Sequence, residues 1–189
     1  MVIGNDTVYT ETVNSQSLRL ISSGSINVPF VANGTTAAYP DGYCWASSLA
    51  SIIKYRTTTT KLAVQIRNEL LSKGYVCYDY VAKQIMQNYI GGTITLSSGT
   101  GNMPISAIQQ CIDSSKPIYT DWQNSTGNGA HAMVVRGYYL NPSLIGPGYN
   151  YGTATVMDPN QPSYQSVSLI PGVTYKIGTG NYEWYSSVY

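Results

Sequence analysis

Charge is scarce in this sequence: Lys and Arg together number ten, and Asp and Glu nine, in 189 residues. The basic residues are scattered singly, which excludes the clustered basic surface of a nucleic-acid binder and discounts anionic membranes as partners. No apolar run approaches the roughly 20 residues needed to cross a bilayer as a helix. The opening "MVIGNDTVYT" lacks both the basic stretch and the apolar stretch of a signal peptide. Either the chain is cytosolic or Met1 begins a mature exported protein. Cysteine is sparse too: Cys44, Cys77 and Cys111 cannot build a full disulfide framework, and none stands in a C-x-x-C pair. With one His and three dispersed Cys, a zinc site is not expected. No other cofactor is called for either.

Tyrosine is abundant, with eighteen Tyr against one Phe. Together with many Ser, Thr, Asn and Gly it gives a surface that is polar without being charged, a composition common in secreted proteins, so an extracellular location is the expectation. The length fits one domain able to bury a substantial core without disulfides. The first half reads as helical. "DGYCWASSLASII" runs from a turn into Trp45, Leu49, Ile52 and Ile53 at helical spacing. "TKLAVQIRNELLSKG" follows with Gly74 as its stop, then "DYVAKQIMQNYI" with Asp79 as N-cap. "PISAIQQCIDSSK" is a fourth, short helix ended by Pro117. From there the period becomes two, in "PIYTDWQ", "AHAMVVRGYYL", "GTATVMDPN", "YQSVSLI" and "GVTYKIG". Helices first and an antiparallel sheet after them make an α+β fold. Residues 26–189 are expected to form a single catalytic domain, and residues 1–25 an N-terminal arm or edge strand.

Three residues carry the chemistry. Cys44 falls where the first helix starts, a place where Cys offers a core nothing over Ala, but where the free N–H groups and the positive dipole end stabilise a thiolate. Cys77 and Cys111, in or beside helices among apolar neighbours, are expected to be buried inert thiols, the alternative being a disulfide between them. His131 stands at the mouth of a strand just after a Gly-rich turn, where its ring can project into a cleft. Asp158, in "VMDPN", follows a strand and precedes the proline that stops it. Together these make a nucleophile, a base and an orienter.

"CWASSLASII", "HAMVVRGYY" and "MDPN", in that order, resemble the papain-like cysteine peptidases, especially the bacterial branch that includes staphopain-like and bacteriocin-processing-like enzymes. The resemblance covers roughly residues 26 to 160, with Cys-Trp-Ala its most specific part. It implies a papain-like fold, with Cys44 at the start of the long helix and the helical part packed on the C-terminal sheet. It also implies that Cys44 attacks a peptide carbonyl, that His131 forms an ion pair with it and later protonates the leaving amine, and that Asp158 orients the imidazole. Papain itself has Asn in that last role, which makes Asn160 the second choice. The family's oxyanion-binding Gln is replaced here by Asn33, after "NVPFVA". Asn can donate the same amide hydrogen bond from a side chain one methylene shorter, and loss of such a donor costs on the order of 10²-fold to 10³-fold in rate. The implied partner is a protein or peptide substrate, and the implied state a monomer.

Two rival classes remain at the level of sequence. One is a peptidoglycan peptide hydrolase or an acyltransferase using the same Cys and His. Cell-wall enzymes of that kind generally have Asp before the Cys and Ser-Gly after it, where this chain has Gly-Tyr and Trp-Ala. The other is a tyrosine-rich binding module, with "NYEWYSSVY" as part of its surface and Cys44 as a structural thiol. It leaves the Cys-Trp pair and the lone His unexplained.

Overall fold

A computed structural model describes residues 9–11, 19–32, 43–60, 63–72, 79–98, 103–127, 129–140, 152–161, 163–170, 173–177 and 180–189. Asn33, Asp41, Gly42, Gly74 and Cys77 lie outside the described residues. Among those described the chain is α+β, with helices α1 (Cys44–Arg56), α2 (Ala63–Ser72), α3 (Asp79–Ile90) and α4 (Ile105–Asp113). Strands β1 (Tyr9–Glu11) and β2 (Arg19–Ser25) precede them, and β3 (Leu96–Ser98) lies between α3 and α4. After α4 come β4 (Ile118–Asn124), β5 (Ala130–Leu140), β6 (Gly152–Met157), β7 (Gln165–Ser168), β8 (Tyr175–Ile177) and β9 (Gly180–Val188). Every described strand pairing is antiparallel. Cys44 at the head of α1, with a C-terminal antiparallel sheet, is an arrangement consistent with papain-like peptidases.

Helix α1 departs from the single buried face that its apolar spacing predicts. Everything from Ala46 to Ile53 is buried, whereas Trp45, expected in the core, is only partly so. The small Ala and Ser side chains let neighbouring segments close on all sides of the helix. Burying hydroxyls is tolerated because each has a backbone acceptor: Ser47 donates to Ala32 O, Ser48 to Ala132 O and Ser51 to Pro29 O. The helix ends at Thr57, whose N–H and hydroxyl both bond Ile53 O. Lys54 and Arg56 in its last turn suit the negative dipole end.

Helix α2 buries only part of its apolar stripe, Ile66 and Leu70, with Val64 half-buried and Leu71 exposed, whereas α3 buries Val81, Ala82, Ile85 and Met86, with Tyr89 half-buried. Asp79 opens α3 as the first helical residue, its carboxylate taking the N–H of Tyr80. Helix α4 ends four residues before Pro117, the predicted stop. Ser115 has φ +57°, Lys116 N–H bonds Cys111 O and Ser115 N–H bonds Ile112 O, the left-handed closure that more often uses glycine.

Strand β5 is the hub of the sheet. Its first half pairs with β4, from Gln123↔Ala130 to Ile118↔Val135. Its second half pairs with β2, from Ser25↔Gly137 to Ser22↔Leu140. Strand β6 pairs with β5 only from Val134 onward, so the β6 ladder leaves the first residues of β5 uncovered. His131 through Val135 are all buried, because layers cover both faces of the strand. The Tyr-rich C-terminus forms β9, paired with β4 on one side and with β3 and β8 on the other. Trp184, Ser186, Ser187 and Val188 of β9 are buried, so this stretch builds core as well as surface.

Candidate active site

The gap left by β6 is where the head of α1 enters. Ala132 N–H points to Cys44 Sγ at 3.4 Å, and Ser48 Oγ donates to Ala132 O at 3.1 Å, so α1 is stitched to β5 one residue beyond His131. No side chain caps the helix at Tyr43, and Tyr43 O takes the N–H groups of Ala46 and Ser47. The N–H groups of Cys44 and Trp45 are thus not consumed by a cap, which leaves donors at the positive helix end beside the sulfur.

His131 is 5 % exposed and Asp158 fully buried. They meet because Met157 ends the β6 ladder opposite Val134 and Asp158 is the next residue, thrown towards the His131 end of β5. His131 Nε2 lies 2.8 Å from Asp158 Oδ1. The same oxygen accepts the backbone N–H of Asn160 at 2.9 Å, which fixes the carboxylate against its own turn. With Nε2 engaged, Nδ1 is the nitrogen left for Cys44, which acts on the imidazole both as hydrogen-bond partner and as charge. Burial alone would lower the imidazole pKa. The hydrogen bonds and charges of Asp158 and Cys44 outweigh it and push it up to about 9.

Of the expected site residues, the structure therefore brings Cys44, His131 and Asp158 together. It places Asn160 beside them through its backbone rather than as the ring's partner. Asn33 lies outside the described residues, but the segment leading to it is firmly held. Arg136 Nε donates to Ile26 O, Tyr164 OH to Val28 O, Ser51 to Pro29 O and Ser47 to Ala32 O. Cys111 is a free thiol, buried in α4, with its pKa raised by burial against a smaller opposing pull from Lys116.

Sequence reasoning missed three neighbours. Ser48 anchors the helix head, Tyr182 sets its ring edge-on to His131 at 6.4 Å, and Tyr175 comes near enough to Asp158 to feel its charge. A serine one turn after Cys44 on a buried helix was a readable signal for the first. Nothing local marks the two tyrosines among so many.

The turn that presents His131 depends on glycine. Asn124 Oδ1 takes the N–H and hydroxyl of Thr126, and Gly127 and Gly129 have φ of +76° and +139°. A Cβ at Gly129 would meet nothing nearer than the Tyr182 hydroxyl at 3.8 Å, so a side chain there is opposed by the backbone and not by crowding. Gly129→Ala should cost about 1–3 kcal/mol in a denaturant titration and lower activity through His131, two residues on. An unchanged midpoint would show that the turn relaxes freely.

No cluster of His, Cys, Asp and Glu suited to a metal ion occurs among the described residues. None of the described helices is long and apolar enough to cross a membrane. The fold and the grouping of thiol, imidazole and carboxylate define the class: an α+β protein arranged as cysteine peptidases are. The sequence model of the Peptidase_C39 like family matches residues 25–183, and the chain belongs to that family. No curated protein matches the chain. Membership makes it a cysteine peptidase by family, with protein or peptide as substrate.

Proposed function

We propose that the chain hydrolyses peptide bonds by a papain-like route in which Cys44 is the nucleophile, His131 the general acid and base, and Asp158 the residue that orients His131. The carrying observation is that one imidazole is held by a buried carboxylate at 2.8 Å while the Cys44 thiol at a helix start acts on the same ring as hydrogen-bond partner and as charge. In this reading Cys44 Sγ adds to the substrate carbonyl carbon, and the carbonyl π electrons move to oxygen. That oxyanion is received by the Cys44 N–H and, by the family resemblance, by the side-chain amide of Asn33. The C–N bond then breaks as His131 gives its proton to the departing amine, leaving a thioester on Cys44. His131, now neutral, takes a proton from water, whose oxygen attacks the thioester. Cys44 leaves with the carboxylic acid released and the imidazolium restored.

Cys44→Ala removes the sulfur that forms the thioester in this route. Hydrolysis of a denatured protein substrate should fall to background while the thermal midpoint stays within a few degrees of the parent. Residual hydrolysis above a tenth of the parent rate would contradict the assignment.

A further inference from the structure

Strand β6 leaves β5 at Val134, so the edge of β5 that faces away from β4 has no strand beside it at Ala132. In an extended strand the N–H and C=O of one residue point to the same edge, and the residue two further on repeats that direction. Ala132 is buried and therefore has to find partners for both groups on the edge where Val134 meets β6. Helix α1 supplies both: Cys44 Sγ takes the Ala132 N–H at 3.4 Å, and Ser48 Oγ donates to Ala132 O at 3.1 Å. Cys44 and Ser48 are four residues apart, the spacing that puts side chains on one helix face. One turn of helix thus stands in for the missing strand, at the residue that follows His131.

The two bonds differ in what they respond to. Ser48 is fully buried, and its bond to Ala132 O joins two neutral groups whose strength does not depend on the state of the sulfur. The N–H on sulfur does depend on it: a thiol is a weak acceptor, whereas a thiolate makes the bond charge-assisted. A donor that bonds the charged form better than the neutral one favours the charged form. The peptide hydrolysis described above activates Cys44 through the helix end and His131, and gives neither the Ala132 N–H nor Ser48 a part.

Resting on the peptidase reading above for its effect on turnover, we propose that Ser48 is a positioning residue for the nucleophile: by holding Ala132 O it keeps the Ala132 N–H on Cys44 Sγ, and that N–H is a third stabiliser of the thiolate. The test compares the full chain with Ser48→Ala, and with Thr120→Val as the control for packing. Thr120 is also fully buried, and its hydroxyl bonds Met133 O at 3.0 Å, the next carbonyl of β5, from the β4 side. Its loss should lower the thermal midpoint at least as far as Ser48→Ala does. In the isotope-labelled parent, the Ala132 amide proton resonance should shift as Cys44 ionises, and in Ser48→Ala that shift should shrink. Loss of a bond to a charged group lowers the thiolate population about tenfold. Because a more basic sulfur reacts faster, iodoacetamide labelling of Cys44 at acidic pH should slow only about threefold, and labelling at alkaline pH should not slow at all. Turnover should fall through kcat with KM unchanged, since Ser48 touches no reacting atom. Thr120→Val should keep the parent's amide shift, labelling profile and kcat. An Ala132 amide that ignores Cys44 in the parent, a parent-like labelling profile in Ser48→Ala, or the same change in Thr120→Val overturns the proposal, whatever the protein hydrolyses. The expected shift and labelling profile in a parent that cleaves no peptide uphold the role of Ser48 and overturn the peptidase reading instead.

Discussion

Asp158→Ala should lower turnover by about two to four orders of magnitude and at the same time erase a pH dependence that the parent protein shows. Burial is the largest influence on the His131 imidazole and acts to lower its pKa; Asp158 heads the opposing influences that bring it to about 9. Without Asp158 the burial effect is opposed by Cys44 alone, so the imidazole pKa should fall. The alkaline limb of kcat/KM, expected near pH 9 in the parent, should then move down. Stability follows the same linkage. A base whose folded pKa exceeds its unfolded value contributes stability that is complete below the unfolded value and is lost as pH rises through the folded one. For His131 that window runs from 6.5 to about 9, so the parent's urea midpoint should fall across it and the variant's should not. Asp158→Asn, with nearly the same volume, serves as the control for packing and should flatten the midpoint in the same way. Asn160 contributes its backbone N–H to Asp158, so Asn160→Ala should change turnover little. If Asn160→Ala abolishes turnover and Asp158→Ala does not, the imidazole is oriented by Asn160, as in papain itself.

Helical spacing and the change to period two were enough to read the α+β order, because amphipathic stripes and β-branched runs are local features. The meeting of His131 with Asp158 was foreseeable in outline, since a strand followed by Asp-Pro must end there. Its geometry was not, because it depends on β6 stopping opposite Val134, a register that no local pattern in either strand fixes. The all-round burial of α1 was hidden for a related reason. Ser47, Ser48 and Ser51 look like a polar face until their acceptors, Ala32, Ala132 and Pro29, are brought in from outside the helix. Strand β9 escaped because its tyrosines and serines suit a surface equally well. Only its register beside β4 shows Trp184 packed against Trp122, with its indole N–H on Ser187.

Iodoacetamide at mildly acidic pH should modify Cys44 far faster than Cys111, and His131→Ala should reduce that advantage. Thiolates are the alkylated species, and a thiol gains thiolate character from a helix N-terminus and from a neighbouring cation. Cys44 stands at the head of α1 and is partly exposed, next to an imidazole that stays protonated up to about pH 9. Cys111 is buried in α4, where desolvation raises its pKa, so it should label slowly and only under alkaline conditions. The measurement is peptide mapping of the alkylated native protein across a pH series, in the parent and in His131→Ala, with substrate hydrolysis followed in parallel. In the parent, labelling of Cys44 and loss of hydrolysis should proceed at one rate. In His131→Ala the cation is gone while the helix end remains, so labelling of Cys44 should slow by about tenfold. Equal, alkaline-only labelling of Cys44 and Cys111 in the parent would mean that helix end and imidazole do not act on the sulfur, and Cys44 would then be a structural thiol. Selective acid-side labelling without hydrolysis of any protein would keep the activated sulfur and move the acceptor chemistry from water to another nucleophile, as in an acyltransferase.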